Sequence, residues 1–239
     1  MKHAALLLIA CAAFCGSAGA EEEGTKIDYK LTGSYYHASN GNDAEDINLR
    51  ATVGDSNYWI GHYREKDGFA QSRLGMDTRF DLHELLRASI SPEIGTLGYK
   101  SLNLGAEVGG ETYAILGIGR TNLRPCFNLN FDPCDAITVG VGTRAIKNMD
   151  INLFAVIDDR LDTQQRVTHL NWRYRIAKGQ RLTIGLVYKS GFTDENVYIH
   201  GRGLMLGYDY NDFFFRISRD EYAGFSNVHL TRFAGGMRF

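Results

Sequence analysis

VHLTRFAGGMRF, residues 228 to 239, closes the chain. Counted back from Phe239 in steps of two, Met237, Gly235, Phe233 and Thr231 share one face, and Arg238, Gly236, Ala234 and Arg232 share the other. One face is mostly apolar and the other carries the charge. A half-apolar strand ending on a free aromatic residue leaves an unpaired edge, which a closed membrane barrel uses by pairing its last strand with its first. The competing reading of this segment alone is an ordinary edge strand.

Upstream, the same two-residue rhythm recurs back to Lys26. It is clearest from Arg73 to Leu82, where Leu74, Met76, Thr78, Phe80 and Leu82 alternate with Arg73, Gly75, Asp77, Arg79 and Asp81. A helix would spread those charges around its circumference, so the stretch reads as a strand with one polar and one apolar face. Leu170, Trp172, Tyr174 and Ile176 likewise oppose His169, Asn171, Arg173 and Arg175. Each run is about ten residues, the length that crosses a bilayer as a tilted strand. Strands are predicted near 26–37, 46–54, 57–66, 71–82, 85–94, 100–109, 112–121, 135–145, 149–159, 166–177, 181–190, 197–210, 213–220 and 228–239. The fold class expected is all-β, a transmembrane antiparallel up-and-down barrel of 14 strands. The alternative is 12, if the segment at 85–94, which contains Pro92, and the one at 100–109 merge or shift.

Connections alternate in length. Gly54-Asp55-Ser56, Gly109-Gly110-Glu111, Lys147-Asn148, Lys178-Gly179-Gln180 and Asn211-Asp212 are tight turns. Ser39 to Glu45, Asn122 to Cys134, Arg160 to Gln165, Gly191 to Asn196 and Glu221 to Asn227 are longer. Short turns on one side and longer loops on the other suit an outer-membrane barrel and are hard to explain in a soluble sandwich.

The chain opens MKH, continues with an apolar run from Ala4 to Phe14 and reaches GSAGA before three glutamates. Residues 1–20 read as a signal peptide cleaved after Ala20, residues 21–25 as a short periplasmic tail, and residues 26–239 as a single barrel domain. A lipoprotein reading at Cys11 is the alternative, with an apolar segment of only about 7 residues before it. Cleavage removes Lys2 and no acidic residue, taking the formal charge from −2 to −3, which offers no argument for a nucleic-acid partner. After the opening, no apolar run approaches the roughly 18 residues that a spanning helix needs. The 27 Gly, 13 Tyr and 13 Phe beside 3 Pro suit many strands with aromatic belts.

The C-terminal segment resembles the signature of bacterial outer-membrane β-barrel proteins, a terminal Phe with apolar residues at alternate positions before it. Gly235 departs from it, where the family usually has a larger apolar residue. The resemblance implies outer-membrane lipid as surroundings and recognition by the barrel-assembly machinery through Phe239, Met237 and Phe233. The whole mature chain resembles small porin-like channels. In size and arginine content it looks like the group that passes acidic oligosaccharides, but no motif diagnostic of that group is present and its substrate is not carried over.

In a membrane barrel the apolar face meets lipid and the polar face lines the interior. Parity then places Lys30, Arg50, Arg73, Arg79, Arg87, Arg144, Arg173, Arg175, Lys189, Arg216, Arg232 and Arg238 inside, against only Asp28, Asp77, Asp81, Glu107 and Asp158. The other acids are expected in loops and tail. An arginine excess around a confined water column favours anions, so the expected solutes are small anions. The competing reading is that the arginines pair with those acids and fill the interior.

Arg124-Pro-Cys-Phe-Asn-Leu-Asn-Phe-Asp-Pro-Cys134 is the longest loop. In an exported protein the pair Cys126 and Cys134 is expected as a disulfide. Phe127, Leu129 and Phe131 alternate with Asn128 and Asn130, so the loop can fold over or into the mouth as a constriction, or stand outside as a stapled, protease-resistant loop. No catalytic or metal motif emerges and no cofactor is expected. Ser72 or Ser89 with His62 is a conceivable pair without local support, and lone histidines are expected at the rims. Tyr35, Tyr36, Tyr58, Trp59, Tyr63, Trp172, Tyr174, Tyr208 and Tyr210 read as interfacial girdle. The function expected is a passive outer-membrane channel for small anions. The alternatives are a non-conducting barrel that meets a partner through its loops and, more remotely, an outer-membrane hydrolase.

Overall fold

The structure, a computed structural model, describes residues 26–126, 128 and 130–239. The expected signal peptide at 1–20 and tail at 21–25 lie outside the described residues, as do Phe127 and Leu129 of the cysteine loop. The strands are β1 Ile27–Ala38, β2 Ala44–Val53, β3 Ser56–Glu65, β4 Ala70–His83, β5 Leu86–Gly95, β6 Lys100–Gly109 and β7 Thr112–Thr121. They continue as β8 Ala136–Thr143, β9 Met149–Asp158, β10 Arg166–Ala177, β11 Gln180–Phe192, β12 Tyr198–Tyr210, β13 Phe213–Asp220 and β14 Leu230–Arg238. Each pairs antiparallel with the next, and β14 returns to β1 to close a 14-stranded barrel, so 12 is set aside.

The closing segment behaves as its alternation requires. β14 pairs with β1 from Lys30↔Arg238 to Ala38↔Leu230. Beyond the last strand residue, Tyr29 and Phe239 exchange backbone hydrogen bonds of 2.8 and 3.0 Å, and their rings stack at 5.7 Å. Closure satisfies the edge that an open sheet would leave bare. Both described ends lie with the tight turns, here called the turn end; the longer connections gather at the opposite, loop end.

Pro92, the main reason to doubt β5, sits where the β4–β5 ladder lapses: pairing runs Gly75↔Glu93 and resumes at Thr78↔Ile90. The missing N–H therefore costs no bond on that side, while the β6 side keeps Pro92↔Leu102. At the loop end the β1–β2 connection is stapled by Asp43, whose carboxylate accepts from the Ala38 amide and the Tyr35 hydroxyl. The Ala38 N–H, the Tyr35 hydroxyl and neighbouring His37 hold that carboxyl below the usual range.

Outside, large apolar side chains such as Ile47, Leu74, Val141 and Leu153 stand exposed at every second position. Inside lie the polar residues and several aromatics. Here one expectation is corrected: Tyr36, Trp59 and Tyr63 are not girdle residues. They take the inward parity of β1 and β3, with Tyr36 and Tyr63 buried, while Tyr35 and Tyr58 take the outer face. Adjacent aromatics in a strand necessarily point to opposite faces, so a count of aromatics cannot say which one meets lipid.

Three inward aromatics lie over glycines on the neighbouring strand: Trp59 over Gly75, Tyr113 over Gly142 and Phe214 over Gly236. The ring fills the gap left by the missing side chain. A Cβ at Gly236 would run into the Leu31 carbonyl and the Phe214 ring, whereas one at Gly235, on the outer face, meets only the Phe214 carbonyl at an ordinary 3.6 Å. Gly236→Ala is thus expected to destabilise the barrel by about 1–3 kcal/mol or more, and Gly235→Ala to leave it nearly unchanged. Urea unfolding of both variants in detergent checks this; equal midpoints would refute it.

Candidate functional site

Strand parity sets which side chains enter the interior, so its chemistry follows from the ladder registers. Arg50, Arg73, Arg79, Arg87, Arg144, Arg173, Arg175, Lys189, Arg216 and Arg232 all stand at inward positions, Arg144 just past the end of β8. Many are paired. Arg50 lies 3.6 Å from Asp77 and Arg73 lies 3.3 Å from Glu93. Arg87 bonds Asp81 at 2.6 Å, Arg144 bonds Glu107 at 3.0 Å and Arg173 lies 3.5 Å from Asp150. Lys189, fully buried, sits 2.8 Å from Asp220.

These pairs correct the expected distribution of acids. Asp46, Glu93, Asp150, Asp209 and Asp220 also face inward, so the carboxylates have not all gone to loops. Each falls within a strand predicted above, and Asp46, Glu93 and Asp220 share the parity of Arg50, Arg87 and Arg216 in their own strands, so the alternation that places those arginines inside places these carboxylates there as well. Asp158 is no partner for an interior arginine: it accepts from the amides of Arg160, Leu161 and Thr163 and caps the β9–β10 loop.

A residue of positive charge survives the pairing. Among the described residues Lys30, Arg79, Arg175 and Arg216 have no carboxylate within 4.0 Å. All four stand in the half of their strands nearer the turn end. In the half nearer the loop end, Arg73 and Lys189 are bound to carboxylates and Arg232 donates to the Ser34 hydroxyl at 3.1 Å.

The loop end is narrowed by the β7–β8 connection, which folds into the barrel. Cys126 and Cys134 are joined by a disulfide. Closing so short a loop restricts the unfolded chain, by roughly 2–3 kcal/mol in the chain-entropy account. Its base is tied by Asp135, which accepts from the Thr121 amide at 3.1 Å and pairs with Arg160 at 3.2 Å. The tip is pinned at three places around the wall. Gln71 on β4 donates to the Pro125 carbonyl at 2.8 Å, and Asp132 bonds His169 on β10 at 2.7 Å. The Phe131 ring meets Tyr36 of β1 edge-on at 6.5 Å, in a cluster with Tyr63, Phe69 and Leu230. β1 lies half the ring away from β7 and β8, so the tip crosses the interior.

Between that tip and the wall of β10 to β14 remains a cavity of about 150 Å³. Asn130 and Phe131 line it from the loop, and His169, Asn171, Arg216, Ser218, Asp220 and Arg232 line it from the wall.

The histidines divide by face. His169 is not a rim residue: it is buried inside, stacked on Phe154 at 4.8 Å. His62 does meet Ser72, at 2.9 Å, but on the outer face, and among the described residues no carboxylate bonds the ring to orient it as a base. Among the described residues no group of three or more His, Cys, Asp and Glu is placed to hold a metal. Gln71, Asp132, Phe214 and Asp220 are interior residues that sequence reasoning did not single out. Gln71, Phe214 and Asp220 were within reach, since they share the parity of Arg73 and Arg216 in predicted strands; Asp132 lies in a loop that alternation alone does not place.

No family model and no curated protein matches the sequence. Among solved structures, the Acinetobacter baumannii outer membrane protein Omp33 superposes with a TM-score of 0.58 at 13% identity, over 90% of this chain and all of that one. An engineered mutant of the Rh. blastica porin gives a TM-score of 0.50 at 8% identity, over 90% of this chain and all of that one. At such identities the likeness is one of fold.

Proposed function

From a barrel with the fold of outer-membrane porins, we propose that this chain is a passive outer-membrane channel for small, preferentially anionic solutes. The observation that carries the reading is the cavity beside the loop tip, where Arg216, one of the four cations without a carboxylate among the described residues, stands with Arg232 against an Asp220 that is already bound to Lys189. Guanidinium groups around a narrow water column bounded by low dielectric attract anions and repel cations, and their planar fork suits carboxylate and phosphate. The exposed apolar exterior supplies the surface that outer-membrane lipid would cover, and Phe239, Met237 and Phe233 on the outer face of the last strand would be read by the assembly machinery. No catalytic role is assigned.

Single-channel recording of the refolded chain in a planar bilayer under a potassium chloride gradient tests the reading. The expected reversal potential favours chloride; one that favours potassium overturns it. The three pins on the loop favour a second reading, a barrel closed by its own loop that acts through partners at the loop end. A folded barrel that is silent with the loop in place and conducts once the loop is released would establish that one instead.

A further inference from the structure

Phe214, inward on β13 and almost wholly buried, has three cations around one ring. The Lys30 ammonium lies 4.4 Å from its centroid, and the Arg238 and Arg216 guanidinium carbons lie 5.4 and 5.5 Å from it. The ladder registers make this crowding deliberate. Lys30 is directly opposite Arg238 on β14 and directly opposite Arg50 on β2, so three adjacent strands present like charges side by side. Such pairs oppose folding.

The acids in reach do not discharge the group. Asp209 accepts from Arg238 at 2.9 Å and is shared with Arg181, and Asp77 takes Arg50 at 3.6 Å. Lys30 and Arg216 are left without a carboxylate among the described residues. An aromatic ring offers two faces, so it cannot satisfy three cations. Arg216 also lines the cavity beside the loop tip, which gives the cluster a route to solvent.

We propose that Lys30, Arg216 and Arg238 form a binding subsite for a free polyvalent oxyanion, of the phosphate or dicarboxylate kind, on the inner wall of β13, β14 and β1. The anion bridges Lys30 and Arg216, with Arg238 beside them, and neutralises the repulsion between Lys30 and its cross-strand neighbours. A lipid phosphate does not reach this wall, because the three side chains lie on the inner face. The subsite rests on the reading of the interior as an anion path, and it gives that path a preference for multiply charged anions over chloride.

Calorimetric titration of the refolded barrel in detergent with inorganic phosphate, against sodium chloride at equal ionic strength, tests the site without requiring current. Phosphate is expected to bind and chloride to give only dilution heat. Lys30→Met and Arg216→Met are each expected to weaken phosphate by about tenfold or more, the loss of one charged hydrogen-bonding partner. If Lys30→Met does not refold, Arg216→Met, which keeps the Lys30–Phe214 contact, carries the test alone. Phosphate heats equal to those of chloride, or an affinity unchanged by Arg216→Met, overturn the subsite. The bilayer recording separates the two readings: phosphate binding in a silent or cation-selective barrel keeps the subsite and removes the anion channel, whereas chloride selectivity without phosphate binding does the reverse.

Discussion

Releasing the β7–β8 loop from the wall is expected to raise the single-channel conductance several-fold without unfolding the barrel. The variant replaces Gln71, Phe131 and Asp132 by alanine and both Cys126 and Cys134 by serine. Each change cuts one restraint on the tip: the bond to the Pro125 carbonyl, the edge-on contact with Tyr36, the hydrogen bond with His169, and the disulfide. None removes a ladder hydrogen bond, because Gln71 acts through its side chain and the other four residues lie in the connection. The base stays tied through Asp135 to Thr121 and Arg160. Fourteen strands lie between the roughly eight that side chains fill and the roughly sixteen that leave an open channel, and the tip crosses the interior at the loop end, so removing the tip is the change that widens the passage. Planar-bilayer recording of the two proteins side by side measures the effect. An unchanged conductance would mean that ions pass elsewhere and that the loop does not constrict.

Asp220→Asn is expected to cost about 3–5 kcal/mol, the loss seen when one member of a buried ion pair is removed and the other stays charged. Lys189 is fully buried, with its ammonium 2.8 Å from the Asp220 carboxylate, 3.4 Å from the Tyr222 carbonyl and 5.9 Å from the Phe225 ring. The carbonyl and the ring cannot replace a full negative charge. The double change Lys189→Met with Asp220→Leu is expected to recover much of the loss, since apolar packing often equals a buried pair in stability. Guanidinium unfolding in detergent distinguishes the cases. If the single variant unfolds with the wild type, the ammonium is reached by water and the pair contributes little.

The strands were legible in the sequence because a barrel wall that is apolar on one face writes its pattern at every second residue, and even β5, with Pro92 inside it, kept that rhythm. The same parity gave the face that carries the arginines, though Arg181, which meets Asp209, was not counted on it. It did not give their neutralisation. Asp46, Asp150 and Asp220 lie within the predicted strands on the arginines' face, but which carboxylate meets which cation depends on the pairing register, which alternation does not give. Parity also says nothing of height along the axis, so the crowding of Lys30 between Arg50 and Arg238 appears only once register is known. The loop was the hardest part. Phe131 and Asp132 read equally well outside or inside the mouth, and the choice is made by Tyr36 and His169, which are far away in the chain and meet the tip only in the closed barrel.

The seam between β1 and β14 ties together the two extremes of the chain: Arg232 donates to Ser34 across 198 positions. Loop-closure entropy grows with the length of chain enclosed, so this pairing is the most demanding one in the molecule and is rewarded only by a single strand's worth of bonds. The hairpins from β2 to β13 form from near neighbours and can assemble as a curved sheet with two open edges. Until β14 arrives, those edges are the vulnerable state of the protein, ready to pair with another chain. The lifetime of that half-made sheet, more than the strength of the finished wall, then governs how much of the protein reaches its final form.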